Sequence, residues 1–594
     1  MFFPVDTISQ RIIHLTFALV LVFIIYPFKS NMLDKIYLVD YLFIGASILT
    51  GLYIVVESEA LMGDRLGVYT TEDVVVAISL VILVLESTRR LFGNVLMGIS
   101  VAALLYAYLG NYIPGMIGHK GYSVYRIATT MGLWTEGIFG TPLGISATFV
   151  AVFVIFGSFL NQSGIGEFFI RIAYAIFGQT RGGPAKAAIV GSGLMGSVSG
   201  SAVANVVTTG TFTIPLMKKV GFPPAFAGAV EAVASSGGQL VPPVMGATAF
   251  IMAEMVGVPY SSIVIAAVIP AWLYYACLYF TVDARAGKMG FKGELKENLE
   301  DWTLLLKQNW FLFLPLVMLV YTLVFMNVST GQAALWAIIA TIFITLYSKG
   351  KNFRMSMIAK SLESGGYGML EIAIVTAMAG LITGVLSLTG LGLKVSGLLV
   401  GFAGGNTLLL LVLCMIVSIV AGMGLPIVAC YLLLAVLVAP ALVNMGISVL
   451  GAHLFIFMFG IFSAITPPVA IAAYVAAGIA GANPMKTGWM ATRIALPLFL
   501  VPYTFAFNPA LIAIGSPYNV GMGVITATIG VFFFASGLEG YMRCYSLSIY
   551  ARVVVTIAGI LCIVPGAVTD LAGVGLGAIV WIYLWSRNKK TGRG

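Results

Sequence analysis

The sequence predicts an all-α membrane protein that crosses the bilayer many times, and three features carry that prediction. Composition is the first: 60% of the 594 residues are hydrophobic, only 9% are charged and the mean hydropathy is +1.04, against roughly 25% charged residues in a soluble globular domain. So few charges cannot wet the outside of a water-soluble fold of this size. Second, apolar runs recur from end to end, among them residues 12–27, 74–85 with their flanks, 311–325 and 333–346. Each span needs about 20 residues to cross ~30 Å of hydrocarbon. Third, helix-breaking residues repeat at a fixed distance in the long middle of the chain. A cytosolic enzyme, a nucleic-acid module and a secreted disulfide scaffold are excluded.

Residues 1–115 hold four span-length runs, near 12–27, 36–56, 74–87 and 95–113, joined by polar turns such as the acid-rich 57–73. They predict a compact four-helix module. Arg11 precedes the first run and no small-residue cleavage site comes after it, so this run reads as a retained span and not a removed signal peptide. Residues 116–141 connect the module to the long middle of the chain. Their aromatic stretch, 119–140 with Arg126, Trp134 and Glu136, suits either a helix at the headgroup boundary or a structural linker.

Residues 142–511 form the core, and the core repeats itself. Pro215, Gly221, Pro242 and Pro243 are matched 225 residues later by Pro440, Gly446, Pro467 and Pro468, so an internal duplication is expected. Residues 512–594 are an extension with two further spans, 518–535 and 551–585, the second long enough to break near Pro565.

The net charge of +9 follows topology. Lys and Arg gather in 283–307, in 349–360 and in the tail 587–593, and the first two segments flank a pair of spans joined by the uncharged turn 327–331. Basic residues in short loops on one side mark the cytoplasmic face; the C-terminal tail is expected there too, with the lipid bilayer, not nucleic acid, as the partner. Five cysteines stand singly in apolar surroundings without a C-x-x-C pair, and three histidines are too scattered for a metal cluster. No cofactor is expected.

Polar and helix-breaking residues cluster in four places. Residues 191–201 contain Ser197, Ser199, Gly200 and Ser201, and Asn205, Thr208, Thr209 and Thr211 come next. Glu231 is trailed by Ser235, Gln239, Pro242 and Pro243. The second half answers with Gly422, Gly424 and Pro426, and then with Ser463, Thr466, Pro467 and Pro468. Pro removes a backbone donor and Gly relaxes the helix. Broken backbone cannot face lipid, where each unpaired group costs several kcal/mol. Small residues alone also permit close helix packing, but double prolines at a repeated spacing point to a binding site on discontinuous helices. Gly191-x-Gly193-x-x-Gly196 is preceded by no strand, so it is not a dinucleotide fingerprint, and no serine stands in a G-x-S-G context. The chain is not expected to be an enzyme. Ionisable residues within apolar stretches are Glu231, Glu254, Glu371 and His453; each is a functional group or a structural hydrogen bond. Glu231 and His453 are the candidate proton carriers.

These residues carry a resemblance. Residues 196–210 (GSVSGSAVANVVTTG), 221–224 (GFPP), 231–239 (EAVASSGGQ), 242–246 (PPVMG), 422–426 (GMGLP) and 466–470 (TPPVA) resemble the membrane subunit of tripartite ATP-independent periplasmic (TRAP) transporters. The branch with fused small and large membrane subunits and a TAXI-type binding protein is the most similar, with residues 1–115 matching the small subunit. The resemblance implies an inverted repeat with two re-entrant hairpins and elevator movement in the bacterial inner membrane. It also implies symport of substrate, delivered by a periplasmic binding protein, with an ion. Carried onto this chain, the ion positions are Ser197, Ser199 and Ser201, then Gly422, Gly424 and Thr466, a set of oxygens suited to a hard cation such as Na+. The family usually has two threonines where Ile427 and Val428 stand, and an acid near Ala464 and Ile465. A weakened second sodium site is therefore expected, with Na+ or H+ as coupling ion.

Uptake of a small organic anion, a dicarboxylate or related acid, is the expected function, its carboxylate met by helix N-termini after Pro243 and Pro468. The alternative is an ion exchanger or channel on a similar hairpin fold, working without a binding protein.

Overall fold

The computed structural model describes residues 6–28, 37–326, 328–350 and 354–590; position 327 of the uncharged turn, Lys351 and the tail beyond 590 lie outside them. The described residues are helices and turns, with one two-stranded antiparallel pair, Tyr541–Met542 with Tyr545–Ser546. In chain order the main helices are α1 (Thr7–Ile25), α2 (Leu38–Val56), α3 (Thr71–Phe92), α4 (Asn94–Leu109), α5 (Val124–Gly132), α6 (Ala151–Ser163), α7 (Ile165–Phe177) and α8 (Gly183–Ser199). Then come α9 (Ala202–Lys219), α10 (Pro224–Gly237), α11 (Ala247–Val256), α12 (Tyr260–Lys288), α13 (Thr330–Lys349), α14 (Met355–Thr389), α15 (Leu391–Ala403) and α16 (Thr407–Gly422). The last are α17 (Ile427–Leu437), α18 (Ala439–Asn444), α19 (Val449–Ser463), α20 (Ile471–Ala480), α21 (Pro484–Ala495), α22 (Pro517–Glu539), α23 (Ile549–Leu561) and α24 (Ala567–Lys590). Eleven helical stretches among the described residues are long and apolar enough to cross a membrane. The chain is an all-α, multi-pass membrane protein.

The elements recur with the spacing of the prolines. The helices α7, α8, α9, α10, α11 and α12 begin 224–226 residues before α15, α16, α17, α19, α20 and α21. Gly164 and Gly390, both with positive φ, cap α7 and α15; Gly221 (φ +101°) and Gly446 (φ +89°) precede α10 and α19. The Pro242–Pro243 and Pro467–Pro468 bonds are both cis. These shared turns give one backbone plan used twice.

The chain gathers into two compact units, each assembled from several stretches. The first comprises residues 1–159, 328–338 and 351–445. Here α1, capped by Asp6, packs on α2, and α14 packs on α1, α3 and α4. The side chains of α1 also hold residues 139–147: Arg11 Nη1 donates to Phe139 O (2.7 Å), and His14 Nε2 lies 3.0 Å from Ser146 Oγ. The stretch 119–140 forms a single short helix, α5, whose residues 127–132 are buried, and it lies on α3 so closely that a Cβ on Gly132 would stand 2.9 Å from Ala77 Cα.

Arg90 organises one end of this module. Its Nη1 donates to Asp40 Oδ1 (2.7 Å) and to Tyr26 O (2.9 Å), and its Nε to Glu86 Oε1 (2.9 Å). Its side chain is 2% exposed, that of Asp40 0%, and its guanidinium lies over the Phe23 ring (4.7 Å to the centroid). Asp40 in turn accepts from the backbone N–H of Tyr37 (2.8 Å) and Phe28 (3.2 Å), so the pair ties α1, α2 and α3.

The second unit comprises residues 160–327, 339–350 and 446–594. In it α10 lies against α20 and α21, and α9 against α20. The C-terminal extension docks on α12: Trp272 Nε1 donates to Thr528 Oγ1 (3.1 Å), Lys288 Nζ to Glu539 O (3.3 Å), and Arg285 pairs with Glu539 (3.5 Å). Its last apolar run breaks between Leu561 and Ala567, around Pro565. The extension has a core of its own, with Phe533, Met542, Val555 and Cys562 at its centre.

Removing one partner of a buried ion pair strands the other. Arg90→Met is expected to lower the stability of the first unit by about 3–5 kcal/mol, read as thermal unfolding of the detergent-purified chain. Adding Asp40→Asn to that variant is expected to recover part of the loss.

Candidate functional site

Residues 183–256 form a hairpin and a broken helix. In the hairpin, α8 ends at Ser199, Gly200 turns with φ +64°, and Ser201 starts α9 by accepting from the backbone N–H of Ala204 (3.4 Å). The broken helix starts as α10, passes through a tight turn at Gly238–Leu240 that holds Gln239, then through Pro242 and Pro243, and resumes at α11 after Met245 (φ +57°) and Gly246 (φ +72°). Hairpin and break meet backbone to backbone. A Cβ on Gly196 would stand 2.5 Å from Gly238 Cα, and one on Gly200 would stand 2.7 Å from Gly246 Cα. Only glycine fits at such approaches.

The freed carbonyls of the break are taken by tyrosines of α12. Tyr260 Oη lies within reach of Pro243 O (2.8 Å) and Val244 O (2.7 Å), while Tyr274 and Tyr275 donate to Val233 O (2.8 Å) and Ala234 O (2.6 Å). This is what broken backbone inside a membrane requires.

Side-chain polarity is concentrated in the same place. Glu231 is 0% exposed, and its carboxylate accepts from Ser192 Oγ (2.6 Å), Thr209 Oγ1 (2.5 Å), Thr213 Oγ1 (2.5 Å) and Ser235 Oγ (2.8 Å). Asn205 Nδ2 donates to Ser192 O (2.8 Å), and Ser197 Oγ to Leu194 O (2.7 Å). Ser199 Oγ and Asn205 Oδ1 are buried with no hydrogen-bond partner. Such oxygens are costly to leave unpaired and are suited to a ligand's cation or N–H. Sequence reading found Glu231 and the glycine-serine tip but not the cage around the carboxylate. Its signal was there: Thr209 and Thr213, like Glu231 and Ser235, are four apart and share a helix face.

In the second half, Gly422, Gly424 (φ +81°) and Pro426 form the turn between α16 and α17 in the first unit, where α17 lies on α14. Ser463, Thr466, Pro467 and Pro468 belong to the second unit. There Ser463 Oγ donates to Gly460 O (2.6 Å), Thr466 Oγ1 to Phe462 O (2.8 Å), and Tyr474 Oη to Pro468 O (2.6 Å). His453 is buried in α19, but the position 225 residues after Glu231 is Ile456, not His453. Glu254 and Glu371 occupy exposed positions.

Residues 79–520 match the family model described as "Tripartite ATP-independent periplasmic transporter, DctM component". The chain is similar to the C4-dicarboxylate TRAP transporter large permease protein DctM of Rhodobacter capsulatus, at 28% identity over 61% of this chain and 86% of that protein. It is also similar to the 2,3-diketo-L-gulonate TRAP transporter large permease protein YiaN of Escherichia coli, at 24% identity over 61% of this chain and 84% of that protein. The isethionate TRAP transporter permease protein DctMQ of Oleidesulfovibrio alaskensis matches at 21% identity, over 59% of this chain and 54% of that protein.

The hairpin–break contact yields a direct test. Gly196→Ala forces two backbones apart, and is expected to cost about 1–3 kcal/mol and to abolish the protein's transport activity. Gly401→Ala on α15, where a Cβ meets nothing within 4 Å, is expected to be neutral or to stabilise by up to about 1 kcal/mol. Thermal unfolding of both variants side by side checks the pair.

Proposed function

Because the chain belongs to the tripartite ATP-independent periplasmic transporter family, DctM component, we propose that it is the permease of a secondary active importer of a small organic anion, a dicarboxylate or related acid. A soluble periplasmic binding protein of the TAXI type delivers the substrate, an ion gradient drives uptake, and an elevator-type movement carries the substrate across the bacterial inner membrane. The C-terminal tail lies on the cytoplasmic side, with the basic loops. One observation carries this reading: in a chain of 60% hydrophobic residues, unpaired buried oxygens stand at a hairpin tip beside a broken helix. The names of the relatives support the substrate class, since C4-dicarboxylate and 2,3-diketo-L-gulonate are both small organic acids.

Within this reading the substrate carboxylate is met by the backbone N–H groups that open α11 and α20, where the helix dipole favours negative charge. The coupling ion is Na+ or H+. For Na+, the tip offers Ser197, Ser199, Ser201 and Asn205, all oxygen donors. The corresponding second-half positions are Gly422, Gly424, Pro426 and Cys430, which leave a second sodium site to backbone carbonyls, Ser463 and Thr466. For H+, the ionisable candidate is His453, buried in α19.

Reconstitution into proteoliposomes tests the proposal. The purified chain alone is expected to take up radiolabelled organic acid negligibly, and addition of its binding protein to restore uptake. Replacing sodium with choline under a fixed inward proton gradient then assigns the ion: lost uptake means sodium, retained uptake means protons. Robust saturable uptake with no soluble component would overturn the tripartite assignment.

A further inference from the structure

The cage around Glu231 does more than shelter a charge. Its four hydroxyls come from three helices: Ser192 from α8, Thr209 and Thr213 from α9, and Ser235 from α10 beside Glu231 itself. All four residues are buried. A carboxylate offers only acceptors and each hydroxyl a single proton; Oε1 accepts from Ser192, Thr209 and Ser235 and Oε2 from Thr213. Thr209 and Thr213 also lie near Asn205 O (2.8 Å) and Thr209 O (3.1 Å), but the shorter distances run to the carboxylate. Among the described residues no basic side chain pairs with Glu231. The titratable group facing it from α12, Tyr275, is committed to Ala234 O (2.6 Å).

Two of the caged residues lead to the hairpin tip. The carbonyl of Ser192 accepts from Asn205 Nδ2 (2.8 Å), and Thr209 stands one turn after Asn205 on α9. Asn205 is therefore held at its side-chain amide by Ser192, and its Oδ1 is left buried and unpaired.

The repeat reuses the helices and turns without the residues of this cage. The positions 225 residues after Ser192, Thr209, Thr213, Glu231 and Ser235 are Val417, Leu434, Val438, Ile456 and Gly460. The second half builds the same helices, turn and Pro-Pro break with no such network. The cage is an addition specific to the first hairpin.

We propose that Glu231 is the positioning residue of the first hairpin: through Ser192 and Thr209 it fixes Asn205 and the tip, and it neither carries the coupling proton nor touches the substrate. A carrier or a ligand needs an oxygen open to water or to cargo, whereas Glu231 is fully buried and both its oxygens are hydrogen-bonded within α8, α9 and α10, Oε1 to three hydroxyls and Oε2 to one.

The test uses the full chain in lipid nanodiscs and proteoliposomes, with Glu231→Gln, Glu231→Ala and Thr213→Val. Hydrogen exchange reads the hairpin without any transport, so it stands even if the transport reading fails. In Glu231→Ala, amides of residues 190–215 are expected to exchange about tenfold faster or more, with α12 unchanged. Glu231→Gln, which keeps the shape and one acceptor oxygen, should fall between. Thr213→Val removes a single donor and gives a smaller increase in the same amides; it serves as the test if the alanine variant does not fold. In uptake, Glu231→Gln is expected to raise the half-saturating concentration of the coupling ion more than it lowers the maximal rate, and to keep the wild-type pH profile. Unchanged exchange at the hairpin in Glu231→Ala or in folded Thr213→Val overturns the proposal. So does a Glu231→Gln protein whose uptake no longer responds to a pH gradient, because that is the signature of a carrier.

Discussion

Backbone that leaves the helix inside a bilayer finds no water, and the second unit is organised around that constraint. The break after α10 releases carbonyls that α12 meets with Tyr260, Tyr274 and Tyr275. The turn at Gly200 presses on Gly246, and Gly196 presses on Gly238, so hairpin and break seal each other against lipid. Glycine is required at these four positions because the backbones themselves are the contact surface. Once they are fixed, the side chains of Ser192, Asn205, Thr209 and Thr213 fall around the carboxylate of Glu231 or beside the tip.

The two halves of the chain show which part of this arrangement is scaffold and which part is chemistry. Helix starts, glycine turns and the cis Pro-Pro pairs recur, because any hairpin and break in a membrane needs such turns. The polar cage does not recur. Where the first half spends buried hydroxyls and an acid, the second places Leu434, Val438 and Ile456. A buried hydrogen-bond network is costly when incomplete. Its presence in one half only sets the first hairpin apart from the second.

Much of this was legible in the chain. Hydropathy gave the class, the 225-residue spacing of four prolines and glycines gave the register of the repeat, and the break near Pro565 fell where the run was too long for one span. The motifs at 196–210 and 242–246 located the hairpin and its partner. What was hidden depends on three-dimensional packing. That α5 buries itself on α3 depends on the small residues Gly132 and Ala77 meeting, which no periodicity shows. That His453 lies three positions from the counterpart of Glu231 takes the repeat's register, not its composition, to see. The role of Ser192 was invisible because a lone serine in a glycine-rich helix reads equally well as a packing residue.

In the proposed reading, the tip around Ser199, Ser201 and Asn205 meets the cargo. Ser201 is exposed at that tip, which makes it a reporter. With the exposed Cys544 replaced by Ser, a Ser201→Cys chain in proteoliposomes is labelled by a membrane-impermeant thiol reagent, with and without coupling ion, organic acid and binding protein. Strong slowing of labelling when all three are present is the expected result. Labelling at the same rate under every condition would contradict the claim.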